Sequence, residues 1–166
     1  MKKISREQAK TLLAIHKIVN SEEQELHQIL NADYVYRSGK NEGNSIKYNT
    51  IYDKLVSKFL VQYFSKIVLK GVSNSYLKAE IEKSIDDNLE IIGCPEKLYE
   101  CSCCGYLTID NKANYDVCKL CSWEDDGTLN SENLRYSCVN GSNLEDYRNN
   151  FMKIIDQKEI IYCKSN

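Results

Sequence analysis

Two C-x-x-C pairs, Cys101/Cys104 and Cys118/Cys121, lie 13 residues apart in a chain of 166, and nothing else in the sequence restricts the fold as tightly. Each pair suits a knuckle, a tight turn that aims two sulfurs at one point while backbone N–H groups face them. Gly105, directly after Cys104, permits the backbone angles such a turn needs. Between the pairs, Tyr106-Leu107-Thr108-Ile109 and Tyr115-Asp116-Val117 suit two short strands, and a hairpin of that length would return the second knuckle to the first. Four thiolates complete a tetrahedral Zn²⁺ site at roughly 2.3 Å with no further ligand. The spacing therefore predicts one structural Zn²⁺ held by Cys101, Cys104, Cys118 and Cys121. Iron satisfies the same geometry. A redox C-x-x-C normally occurs once, at the start of a helix in a βαβ setting, which is not the pattern here. Cys103 could replace Cys101 as a ligand, but with a poorer chelate. Cys94, Cys138 and Cys163 lie outside the cluster and read as small buried apolar residues.

Hydrophobic residues make up 42% of the chain, enough for a core, and no run approaches the roughly 20 apolar residues that span a bilayer. No membrane partner is therefore expected. The N-terminus is charged and runs straight into an amphipathic pattern without a signal-peptide core, which predicts a cytoplasmic protein. In that compartment thiols stay reduced, and clustered cysteines bind metal rather than pair. Residues 1–90 hold 14 Lys and Arg against 12 Asp and Glu, and residues 91–166 hold 8 against 12. The cysteine-rich half is thus acidic, which argues against binding a phosphate backbone.

The pattern predicts an α+β protein: a helical domain over residues 1–92 with about four helices, then a zinc-ribbon-like domain over 93–166 ending in a helix. Ser5-Arg6-Glu7-Gln8 is a capping box, followed by Ala9, Leu12, Leu13, His16 and Val19 at helical spacing. Ser21-Glu22-Glu23-Gln24 opens a second helix through Leu26, Ile29 and Leu30. A polar loop is expected from about 31 to 45. A long helix over 50–70 would bury Ile51, Leu55, Phe59, Leu60, Tyr63, Phe64, Ile67 and Val68, with Gly71 ending it. A fourth covers 75–85. Near the C-terminus, Ser142-Asn143-Leu144-Glu145 reads as a capping box for a helix over 143–156, and residues 158–163 as an edge strand. Helix–turn–helix DNA reading of residues 5–31 is disfavoured by Glu22, Glu23 and Glu25 on the second helix. His16 and His27 are not needed as ligands, since four cysteines complete the site.

Trp123-Glu124-Asp125-Asp126-Gly127 admits three readings. The first is a solvated turn closed by Gly127, with Trp123 packed on the ribbon. The second is a partner-binding surface, with Trp123 as anchor inside a rim of Glu124, Asp125 and Asp126. Catalysis or Mg²⁺ binding comes third, because consecutive carboxylates converge poorly on one point. No nucleophile elbow, phosphate-binding glycine loop or metalloprotease motif occurs, and a closed four-cysteine site has no position for water, so no enzyme activity is expected.

The run Cys101-Ser102-Cys103-Cys104-Gly105-Tyr106-Leu107-Thr108, then Cys118-Lys119-Leu120-Cys121-Ser122-Trp123-Glu124-Asp125-Asp126-Gly127, resembles the bacterial cysteine-rich CPCC family, as does the closing segment Asn140 to Phe151. The resemblance covers roughly residues 98–155. Ser102 and Lys119 stand where the family usually has proline, and Ser122 where it has an aromatic. The family's prolines stiffen the turns without binding metal, so their loss leaves the four-cysteine assignment intact. The family implies a zinc-ribbon-like fold. Related proteins look like companions of contact-delivered or polymorphic bacterial toxins, which implies an immunity protein that binds a protein toxin, with a basic nuclease domain as the natural target of carboxylates acting as phosphate mimics. The alternative is a nucleic-acid-binding regulator that reads through the ribbon.

Overall fold

The computed structural model describes residues 2–39, 50, 53–85, 88–155 and 161–165. The chain is α+β and divides into two compact units, Met1–Lys70 with Leu77–Gly93, and Gly71–Tyr76 with Cys94–Asn166. Among the described residues, no helix is long and apolar enough to cross a membrane.

The first unit opens with β1 (Lys2–Ser5), which pairs in parallel with β2 (Leu89–Ile92). Helix α1 (Arg6–Asn20) follows at once. The Ser5 hydroxyl accepts from Gln8 N and the Gln8 side chain accepts from Ser5 N, so the capping box forms as the sequence predicts. Helix α2 (Glu23–Gly39) runs well past the point where a polar loop was expected to begin. Asn31 to Gly39 contains no proline to stop a helix. The remainder of that expected loop, residues 40–45, lies outside the described residues. Helix α3 (Lys54–Tyr63) starts where Asp53 accepts from Leu55 N, later than the expected Thr50. It passes into a π-helical turn over Phe64–Val68, in which Leu69 N reaches back to Phe64 O at 2.9 Å. Gly71 then takes φ 77°, and any Cβ there would clash with Leu98 Cδ1. Helix α4 is Asn74–Glu82.

The core of this unit is Ala14, Leu26, Leu30, Val56, Leu60 and Phe64, supported by Ile18, Ile29, Phe59, Val61, Tyr63 and Val68. Helix α1 buries Arg6, Ala9, Lys10, Leu13 and Ala14, whereas Leu12, His16 and Val19, expected on the buried face, are exposed. The predicted stripe is therefore rotated. The packing face uses two alanines for close approach and the aliphatic stems of Arg6 and Lys10, and a count of large apolar residues misses both. Leu55 and Ile67 are likewise exposed, with Val56, Leu60 and Phe64 inward. His16 bonds Ser84 Oγ at 3.1 Å, and His27 lies 3.5 Å from Glu23.

In the second unit, β3 (Tyr99–Glu100) pairs antiparallel with β4 (Leu107–Ile109), and β5 (Tyr136–Ser137) with β6 (Ser142–Asn143). A 3₁₀ turn covers Asn130–Glu132, and α5 spans Leu144–Met152. Gly71–Tyr76 belongs here because Val72 bridges Tyr162, Ser73 N donates to Ile161 O and Gly71 N to the Glu96 carboxylate. The cap of α5 is Asn143, one residue later than predicted. Its side chain accepts from Asp146 N and donates to the Asp146 carboxylate, both at 2.8 Å. Ser142 is occupied instead by the β5–β6 pairing. Half of the edge strand expected over 158–163, residues 158–160, lies outside the described residues. Tyr162 and Lys164 make single bridges to Val72 and Tyr106.

The observed packing faces of α3 and α1 predict opposite outcomes for residues of similar polarity. Leu60→Ala, at 1% exposure, should cost about 2–5 kcal/mol by denaturant unfolding. Val19→Ala, at 76% exposure, should stay within about 0.5 kcal/mol.

Candidate metal centre

Both knuckles close by the same two backbone bonds. In the first, Cys101 N donates to Tyr106 O and Gly105 N to Cys101 O, each at 2.9 Å. In the second, Cys118 N donates to Trp123 O at 2.8 Å and Ser122 N to Cys118 O at 2.9 Å. The residue after the second cysteine is left-handed in both, Gly105 at φ 75° and Ser122 at φ 65°. Each knuckle is thus the turn of its own miniature hairpin, the first inside β3–β4 and the second inside a bridge between Val117 and Glu124. This corrects the expected single hairpin joining Tyr106–Ile109 to Tyr115–Val117. A C-x-x-C turn already reverses the chain, so each flank pairs across its own knuckle.

The turns bring the Cys101 and Cys121 sulfurs to 3.6 Å, and the Cys104 and Cys118 sulfurs also to 3.6 Å. All four lie within 4.8 Å of one another, a set that could bind a metal ion. Cys101, Cys118 and Cys121 are buried and Cys104 is half-buried. Cys118 is the most heavily supported sulfur, with Thr108 Oγ1 at 3.0 Å and the N–H groups of Leu120 and Cys121 at 3.4 Å. Hydrogen bonds from Cys101, Cys104 and Cys121 hold the Cys118 thiol below its ordinary range, and the Cys104 contact lowers Cys101. In return the Cys101 contact raises Cys104 and Cys121. Two of the four favour the thiolate at the expense of the other two, and only a cation at the centre lets all four ionise together.

Helix α5 grips both knuckles through two adjacent residues. Tyr147 Oη donates to Cys121 O at 3.1 Å, and its ring stands edge-on to Trp123 with centroids 5.1 Å apart. Burial, then the charge of Cys121, raises the Tyr147 phenol and keeps it a donor. Arg148 Nε donates to Cys103 O at 3.0 Å, and Nη2 to Ser102 O at 2.6 Å and Asn130 Oδ1 at 2.8 Å. Sequence reasoning assigned neither residue to the site. The available signal was an arginine, with its fork of donors, just inside a capped helix after the second knuckle. Cys103 is buried, outside the set of four, with its carbonyl held by Arg148. Cys94 and Cys138 are exposed and Cys163 is half-buried, so none of the three is the fully buried apolar residue expected.

The Trp123–Asp126 run is distributed differently from the partner-surface reading. Trp123 is 0% exposed and belongs to the core, so it anchors the module and is not offered to a partner. Asp125 is buried and accepts from Ala113 N at 2.9 Å. Glu124 is half-buried, with Asn140 bracketing its backbone: Glu124 N donates to Asn140 Oδ1 at 2.8 Å and Asn140 Nδ2 to Glu124 O at 2.9 Å. Burial pushes the Asp126 carboxyl up, but bonds from Ser137 and Thr128 and the charge of Arg135 outweigh it and leave the group below its usual value.

Two variants test the knuckle geometry and its clamp. Gly105→Ala should destabilise the metal-loaded module by about 1 kcal/mol, because a left-handed residue with a Cβ is strained, and Ser122→Gly should move thermal unfolding the other way. Arg148→Ala should accelerate metal loss to a chelator by about tenfold or more, followed spectrophotometrically, with the ligands untouched.

No curated protein and no solved structure matches the chain. Residues 99–159, which hold both knuckles, the Trp123–Asp126 run and the clamping helix, match the cysteine-rich CPCC family, the one their motifs resemble.

Proposed function

We propose that the four cysteines hold one structural Zn²⁺ and that the stapled module serves to bind another protein, as an immunity protein neutralising a bacterial toxin in the cytoplasm. The observation that carries the metal reading is the sulfur spacing. Tetrahedral Zn–S bonds of roughly 2.3 Å place ligand sulfurs about 3.8 Å apart, close to the 3.6 Å of the two pairs across the knuckles, Cys101–Cys121 and Cys104–Cys118. Thiolate-only, buried donor sets suit zinc, and four sulfurs leave no open position for water or substrate. Structure rather than catalysis is then the work of the metal, which leaves recognition as the role of the protein.

The partner reading rests on charge. The second half of the chain carries 12 Asp and Glu against 8 Lys and Arg, a balance that attracts a basic protein, such as a nuclease domain, and repels nucleic acid. Opposite charge also speeds the encounter, which suits an inhibitor that must act before damage is done. A nucleic-acid-binding regulator would use exposed tyrosines such as Tyr99 and Tyr115 as stacking platforms, but it would do so inside an acidic field.

Elemental analysis should find one zinc per chain, lost in Cys118→Ser. Chelation should unfold the second unit while most of the helical circular dichroism, which α1 to α3 supply, remains. Co-expression with the product of the adjacent gene should give a stable complex and rescue growth. Absence of a complex, together with a salt-sensitive gel shift of DNA or RNA, would favour the regulator instead.

A further inference from the structure

We propose that the loop Asp110–Val117 is the partner-contacting element of the metal module and that its occupant is a basic protein segment presenting an apolar residue to Tyr115. This deepens the protein-binding reading above and rests on it. Two non-glycine residues of the loop, Ala113 at φ 54° and Tyr115 at φ 59°, are left-handed, a strained conformation for a residue with a Cβ. A single buried residue holds both. The Asp125 carboxylate accepts from Ala113 N at 2.9 Å, its carbonyl accepts from Tyr115 N at 2.9 Å, and its own N donates to Asp116 O at 3.0 Å. Asp116 in turn accepts from Asn111 N at 2.6 Å. Gly127 lets the loop approach, since a Cβ there would lie 3.1 Å from Ala113 Cβ.

Among the exposed side chains of this loop are two large apolar ones. Tyr115 is 58% exposed and Val117 56%. Lys112 lies 5.7 Å over the Tyr99 ring, itself 52% exposed. An aromatic side chain on a backbone fixed in advance is what a binding anchor requires, because the ordering cost is met before the partner arrives. Charge selects the occupant. Between Tyr99 and Asp126 there are six carboxylates and two lysines, and a Zn²⁺ on four thiolates adds two further negative charges. That field favours a positively charged protein surface and opposes RNA, which also stacks on tyrosine.

The probe is a displayed library of short random peptides selected on the zinc-loaded full chain after subtraction on its Tyr115→Ala variant. The loop predicts enrichment of basic peptides with at least one apolar residue. Their affinity should fall about tenfold or more in Tyr115→Ala and in high salt, with zinc content unchanged. Tyr136→Ala, another exposed tyrosine, should leave binding intact. Peptides selected without subtraction that bind Tyr115→Ala as well as the wild type would overturn this surface and leave the protein-binding reading standing. Equal loss in Tyr136→Ala would overturn it as unspecific aromatic contact. Binding of an oligouridine RNA, with no peptide enriched, would overturn both.

Discussion

Four sulfurs within 4.8 Å of one another are the constraint on which the second unit depends. Its regular elements are too small to stand alone: strands of two or three residues, a 3₁₀ turn and one nine-residue helix. Isolated hairpins of this size are marginal in water. Thiols at this separation also resist joint ionisation, so a cation bound among them would add its binding energy to folding. The first unit differs in kind. Its core of Ala14, Leu26, Leu30, Val56, Leu60 and Phe64 is apolar, drawn from three helices.

The four sulfurs alone do not define the module. Each knuckle fixes two sulfurs relative to each other, but something must fix one knuckle against the other. Adjacent residues of α5 do this, Tyr147 on the second knuckle and Arg148 on the first, with Trp123 packed beneath Tyr147. The Asn143 cap then matters beyond its own helix, because it sets where α5 begins and hence where both side chains point. An arginine bridging three carbonyl oxygens from two segments is better suited to this than a lysine, whose single ammonium cannot span them in one plane.

How much of this was legible in the sequence varies by the kind of signal. The four-cysteine cluster was readable because C-x-x-C spacing is covalent geometry, insensitive to the surroundings. The pairing of the strands was not. Apolar runs on either side of a turn say that strands exist, while the choice of partner depends on the local closure of each knuckle. The left-handed Ser122 was hidden because serine carries no conformational signature, and only its equivalence to Gly105 in the repeated turn exposes it. Helix existence in residues 1–92 was legible from caps and periodicity. The buried face of α1 was not, since Ala9, Ala14 and the stems of Arg6 and Lys10 carry weak or opposite hydropathy signals.

The run Trp123-Glu124-Asp125-Asp126 shows why adjacency in sequence is a poor guide to a shared surface. Val117 and Glu124 bridge, so the segment is extended there, and extended backbone sends successive side chains to opposite sides. Trp123 and Asp125 are buried while Glu124 and Asp126 are half-exposed, which is that period of two. Three consecutive carboxylates therefore never form one acidic patch. The inward one becomes a structural acceptor for Ala113 N, and the flanking pair keep contact with water. The buried carboxylate acts on function only through the backbone it holds. Removing its charge would weaken only the bond from Ala113 N, while the two backbone bonds from Asp125 to Tyr115 and Asp116 would still hold the rest of the turn.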